Sequence, residues 1–219
     1  MNVLEDPAGL DELRALGARS VPVLSRGDKF VFAQSLKPIV EFLGLDEKSG
    51  PELPPRALFD RLDKFMTAQL GLLPLMPDDR LATHVPNRPR SYRHLGFHIF
   101  RIVEGFLDAT QGIELEQAVF AIVPPDDVGT AKLVAYGAGI QRRFRAWWEA
   151  NQTTDGMASL PTYYGPQTLH ELLERTTWHS GQHVRQWMML LEREGVAHHR
   201  PLVDADFAGL PMPSGVWDG

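Results

Sequence analysis

The stretch Thr176-Thr177-Trp178-His179-Ser180-Gly181-Gln182-His183-Val184-Arg185-Gln186-Trp187 decides how this chain is read. It sits inside a longer pattern from Leu169 to Glu194, where Leu172, Leu173, Thr176, Trp187, Leu190 and Leu191 recur at helical spacing. On a helix, residues i and i+4 share a face, so His179 and His183 can reach one metal ion. Thr176 and Trp187 extend the same row. Gly181 lies between the histidines. A mid-helix glycine costs about 1 kcal/mol relative to alanine, which points to close approach of another helix or a ligand. No Glu follows His179, so the H-E-x-x-H arrangement of zinc proteases is not met.

Three further stretches have the same periodicity. Arg56 to Leu72 carries Leu58, Phe59, Leu62, Phe65, Met66 and Leu70. Tyr92 to Thr110 carries Leu95, Ile99, Ile102, Val103, Phe106 and Leu107. Asp126 to Ala150 carries Val128, Leu133, Val134, Ile140, Phe144, Trp147 and Trp148. Four amphipathic helices predict a mainly α fold built on a four-helix bundle. The loop from Leu73 to Arg90 is long and proline-rich, a length often associated with function or mobility. From Val196 onward, Pro and Gly predict an irregular strap over the helices.

A third histidine, His98, falls on the Tyr92–Thr110 pattern. Bundle cores build metal sites from facing helices, and three neutral imidazoles leave a metal one open position for water or substrate. His94, one turn earlier, competes with His98. His84, His170, His198 and His199 read as loop or surface residues, Glu104 and Glu171 as solvated helix charges, and Trp147-Trp148 as packing. The bland alternative makes the His179/His183 pair surface or satisfied core residues, with no metal.

The first 46 residues follow another pattern. Asp6 to Leu16 reads as a short helix, with Asp6 as N-cap and Pro7 in the first turn. Ser20 to Leu24 and Lys29 to Phe32 read as strands joined by a turn at Ser25-Arg26-Gly27-Asp28. Gln34-Ser35 opens a helix that runs through Phe42 and closes near Gly44. Glu47 to Pro55 reads as a linker. The expected organisation is a small α+β module over 1–46, a linker over 47–55, and the helical domain over 56–219.

Bulk properties narrow the function. The 219 residues suffice for one sizeable core plus a small module. A net charge of −6 argues against a general nucleic-acid binder, which needs clustered Lys and Arg. No apolar run approaches the roughly 20 residues of a membrane helix, and the amino terminus has no secretory h-region. Cysteine is absent, so this chain supplies no disulfide, thiolate nucleophile or Cys-ligated zinc. The cytoplasm is the simplest location.

The arrangement His98 … His179-x-x-x-His183, together with the phrase from Thr168 to Gln186, resembles the DinB-like metalloprotein superfamily. That superfamily includes bacillithiol S-transferases and, more distantly, mycothiol-dependent maleylpyruvate isomerases. The likeness spans roughly residues 56–195. It implies that His98, His179 and His183 hold a divalent metal, with zinc or nickel first among the candidates. The superfamily is diverse in reaction.

The amino-terminal module resembles the second half of a glutaredoxin or thioredoxin-like domain, through Glu5 to Gly17, Ser20-Val21-Pro22-Val23-Leu24, Gly27 and Ala33-Gln34-Ser35-Leu36. The resemblance implies a cis bond before Pro22, backbone hydrogen bonding to a thiol peptide at Val21, and a carboxylate bound at the helix start by Ser35. The family's first strand, Cys motif and first helix are missing, which excludes redox chemistry through a protein thiol. The module is then a docking remnant or mere packing, or the chain is an early-truncated form of a longer protein.

Together the two resemblances imply a metal-dependent transferase or isomerase using a low-molecular-weight thiol, glutathione first, with a small electrophilic substrate. No nucleic acid or membrane is expected as a partner, and a homodimer is one assembly open to it. The alternatives are a non-catalytic metal-binding stress or damage-inducible protein and a metal-dependent hydrolase. No catalytic base stands out.

Overall fold

Helix starts are set locally wherever a side chain satisfies the first free N–H groups. In the computed structural model, Asp6 accepts the Ala8 N–H at 2.9 Å and opens α1, Pro7–Ala15. The described residues are 6–18, 21–34, 36–46, 49–86 and 88–217. They fall into two compact units, residues 1–50 and 51–219.

In the first unit, β1 (Val23–Arg26) pairs antiparallel with β2 (Lys29–Phe32), from Val23 opposite Phe32 to Arg26 opposite Lys29. Ser25 and Arg26, expected in the turn, are therefore strand residues. The turn contracts to Gly27-Asp28 because Gly27 takes φ +66°, which a two-residue hairpin loop requires. Helix α2 (Leu36–Leu43) ends at Gly44. The Val21–Pro22 bond is cis, as the resemblance implied. Ser35 and Ser20 lie outside the described residues.

The second unit is built on four long helices: α3 (Pro55–Leu72), α4 (Tyr92–Thr110), α5 (Thr130–Asn151) and α6 (Leu169–Arg193). Helix α6 packs on α3 and α4, and α5 packs on the same two helices. The four thus close a ring around one core, in which Trp187, Phe65, Phe100, Phe106 and Phe144 are fully buried. Gly181 explains itself here: a Cβ on it would stand 2.7 Å from the Phe65 ring of α3. Gly137 does the same for Phe100, at 2.5 Å.

Several local expectations shift. Helix α5 starts at Thr130 instead of Asp126, after a turn in which the Val128 N–H bonds the Pro125 carbonyl. Asp78 anchors that start by accepting from both the Thr130 N–H and hydroxyl at 2.8 Å. The 73–90 loop has short 3-10 turns at Leu73–Leu75 and Asp78–Arg80, and it buries Leu73, Met76, Leu81 and Val85. It is part of the core. A short hairpin, β3 (Ser159–Leu160) with β4 (Gln167–Thr168), was not anticipated. Glu171 is no idle charge: it forms a capping box with Thr168 that starts α6. The fold is mainly helical, with six α-helices and two small two-stranded sheets among the described residues. None of the described helices is long and apolar enough to cross a membrane.

Candidate metal centre

Helix α4 turns one apolar face inward, and His98 falls on it among Leu95, Ile99 and Ile102, at 2% exposure. Helix α6 brings His179 and His183 to the same place, one turn apart. The three rings offer one ligand atom each, all within 4.8 Å of one another. Ring centroids lie 4.8 Å apart for His179–His183, 5.0 Å for His98–His183 and 5.7 Å for His98–His179. His94 stays outside this group, its ring edge-on to His98 at 5.9 Å.

Burial dominates the electrostatics. It pushes the His183 imidazole down to about 4, against a partial pull upward by its bond to Gln186. Burial holds His98 and His179 well below the ordinary histidine value, and the charge that His183 would carry adds to the effect. The nearby Arg90 guanidinium works the same way on all three. The triad is therefore neutral at pH 7, the state in which imidazole binds metal.

Two nitrogens argue for a ligand directly. His183 Nε2 and His179 Nδ1 are buried and have no hydrogen-bond partner. Leaving such an atom unsatisfied costs about 1–3 kcal/mol, so each calls for an explanation. On the other side of the His183 ring, Nδ1 meets Gln186 Oε1 at 2.6 Å. The residues present fit a divalent ion that accepts imidazole nitrogen. Phe120, on the short 3-10 helix Gln117–Ala121, walls the site, 5.9 Å from His98 and 6.3 Å from His179 between ring centroids. Trp178 tilts against His179 at 5.5 Å.

The remaining sequence candidates distribute differently. His170 belongs to α6, and its Nε2 meets the Leu53 carbonyl at 2.7 Å. His198 lies in the loop after α6, as expected, with its side chain 2% exposed beside Glu192. Glu104, expected as a solvated charge, accepts from the Tyr136 hydroxyl at 2.7 Å and from Arg143 at 2.9 Å, and pairs with Arg101. Val21 is exposed in the first unit, where its carbonyl accepts from Gln34 Nε2 at 3.0 Å, and the Pro22 carbonyl accepts from the Ala33 N–H at 2.9 Å. Gln186 and Phe120 had no role in the sequence reading. Gln186 was findable, since a residue three after a ligand shares its helix face. Phe120 sits in a connection with no periodicity to flag it. No protein-family model matches this chain, and no curated protein matches it either.

Proposed function

We propose that residues 56–195 form a DinB-like four-helix bundle whose His98, His179 and His183 hold one divalent metal ion, zinc or nickel. We propose further that the protein is a thiol-dependent transferase or isomerase, acting in the cytoplasm with glutathione and a small electrophile. One observation carries the reading: three neutral imidazoles from two helices converge with their ligand atoms inside 4.8 Å. A bound divalent ion supplies Lewis acidity that brings a thiol's pKa toward neutrality. The chain's own residues do the rest. Helices α4 and α6 hold the imidazoles, burial keeps them unprotonated, and the Phe120 and Trp178 rings pack against them. In the first unit, the Val21 backbone beside the cis Val21–Pro22 bond would offer the hydrogen bond to the thiol peptide, and the resemblance assigns the peptide's carboxylate to Ser35.

Elemental analysis of purified protein tests the centre, with one divalent ion per chain expected. His179→Ala should lose the metal while far-UV circular dichroism stays helical, because the apolar core supplies most of the stability. Protein without stoichiometric metal, even after reconstitution, removes the centre. Calorimetry with glutathione tests the thiol: binding at millimolar concentration is expected, weakened in Ser35→Asp by like-charge repulsion. Metal-loaded protein that ignores glutathione removes the thiol role and leaves the centre standing.

A further inference from the structure

The segment after α6 lies along that helix and collects its donors. Gln182 Nε2 donates to the Gly215 carbonyl at 3.1 Å and the Val216 carbonyl at 2.7 Å. Gln186 Nε2 donates to the same Val216 carbonyl at 3.0 Å. Arg185 donates to the Pro213 carbonyl at 3.1 Å and to Gln182 Oε1 at 3.0 Å. The Trp217 indole N–H points at Met189 Sδ. Positions 182, 185, 186 and 189 form one face of α6, so the strap is fastened along a single line.

This fastening has a chemical consequence at the metal centre. A carbonyl oxygen only accepts, so the Gln186 atom meeting Val216 is the amide nitrogen, which settles the flip of that side chain. Its Oε1 is then the atom that faces His183, at 2.6 Å. That oxygen also only accepts, so His183 Nδ1 carries the hydrogen. A neutral imidazole has one N–H, so Nε2 keeps a bare lone pair. This is the buried nitrogen that has no hydrogen-bond partner.

We infer that Gln186, held by the Val216 carbonyl, is a positioning residue for the metal centre: the strap orients Gln186, and Gln186 fixes the tautomer and ring angle of His183, hence the affinity for the ion. The inference rests on the metal reading of the triad. Its physical basis is general: a ligand histidine whose second nitrogen is bound elsewhere loses less freedom on coordination and presents the correct lone pair.

The full-length protein tests this with two readouts. In metal-free protein, nitrogen-15 NMR of the histidine rings should give His183 as the Nδ1–H tautomer, and Gln186→Met should give a mixture. In zinc titrations against a competing chelator, Gln186→Met should bind roughly 10–100-fold more weakly than wild type. Trp217→Ala, which loosens the strap, should cost less, about threefold, through the same path. The double variant should then bind no more weakly than Gln186→Met alone, because residues that act in series are not additive. An Nε2–H tautomer in the wild type, undiminished zinc affinity in Gln186→Met, or fully additive losses in the double variant each overturn the inference. Wild-type protein that binds no zinc overturns the metal reading itself and the affinity claim with it. The tautomer measurement needs no metal and separates that failure from an error about Gln186.

Discussion

Residues 51–219 and residues 1–50 achieve order in different ways. In the larger unit, Trp187, Phe65, Phe100, Phe106 and Phe144 are removed from water entirely, and each long helix packs on two others. In the smaller unit, no apolar side chain among the described residues is buried to that degree: Val40 and Ala18 come nearest, at 6% and 7% exposure, while Val21, Leu43 and Leu45 are exposed. Its order comes from hydrogen bonds to the backbone instead: the β1–β2 ladder, the Asp6 side-chain cap and the bond from the Gln34 side chain to the Val21 carbonyl. A short segment cannot bury the fraction of surface that a larger one does. The difference teaches where a rigid site can be built. Side chains that must hold an ion need neighbours locked by packing, and the triad sits in the unit that has them.

The largest effect that would sharpen this contrast is expected from Trp187→Ala. The side chain is fully buried, so its loss should destabilise the larger unit by about 3–5 kcal/mol in denaturant titration. Next comes acid. His183 titrates near 4 in the folded chain against 6.5 ordinarily. Between those values the unfolded chain binds more protons than the folded one, so stability rises with pH. The metal-free protein should hold its full stability above about pH 6.5 and lose about 3 kcal/mol from this group as pH falls toward 4. Unfolding curves at pH 7.5 and 5 check the sign, and His183→Gln should flatten the dependence. A smaller loss, about 1–3 kcal/mol, is expected from Gly181→Ala, because the new methyl meets the Phe65 ring. An unchanged midpoint there would mean that the α3–α6 contact yields, and the contrast in rigidity would weaken. The smallest effect belongs to the other unit. Val40→Ala should cost about 1 kcal/mol, seen as faster amide exchange in residues 1–50 with exchange in α3–α6 untouched. A global loss of protection would break the division between the two units.

Much of the helical framework was legible before any tertiary information. Tyr92–Thr110 and the start of α6 at Leu169 follow from apolar spacing, and the i, i+4 spacing alone puts His179 and His183 on one face. These are short-range properties, because helical geometry relates residues within one turn and the sequence displays that period openly. The resemblance names His98 as the third member, but helical spacing alone cannot choose it over His94. His94 and His98 lie on nearly the same face of α4, and only the packing of α4 against α6 brings His98 within reach and leaves His94 aside. The start of α5 depends on Asp78, 52 residues earlier, and the tautomer of His183 depends on a carbonyl 33 residues after it. Periodicity carries no signal for partners so far apart, since a main-chain carbonyl is the same in every residue and only the packed chain decides which donor it meets.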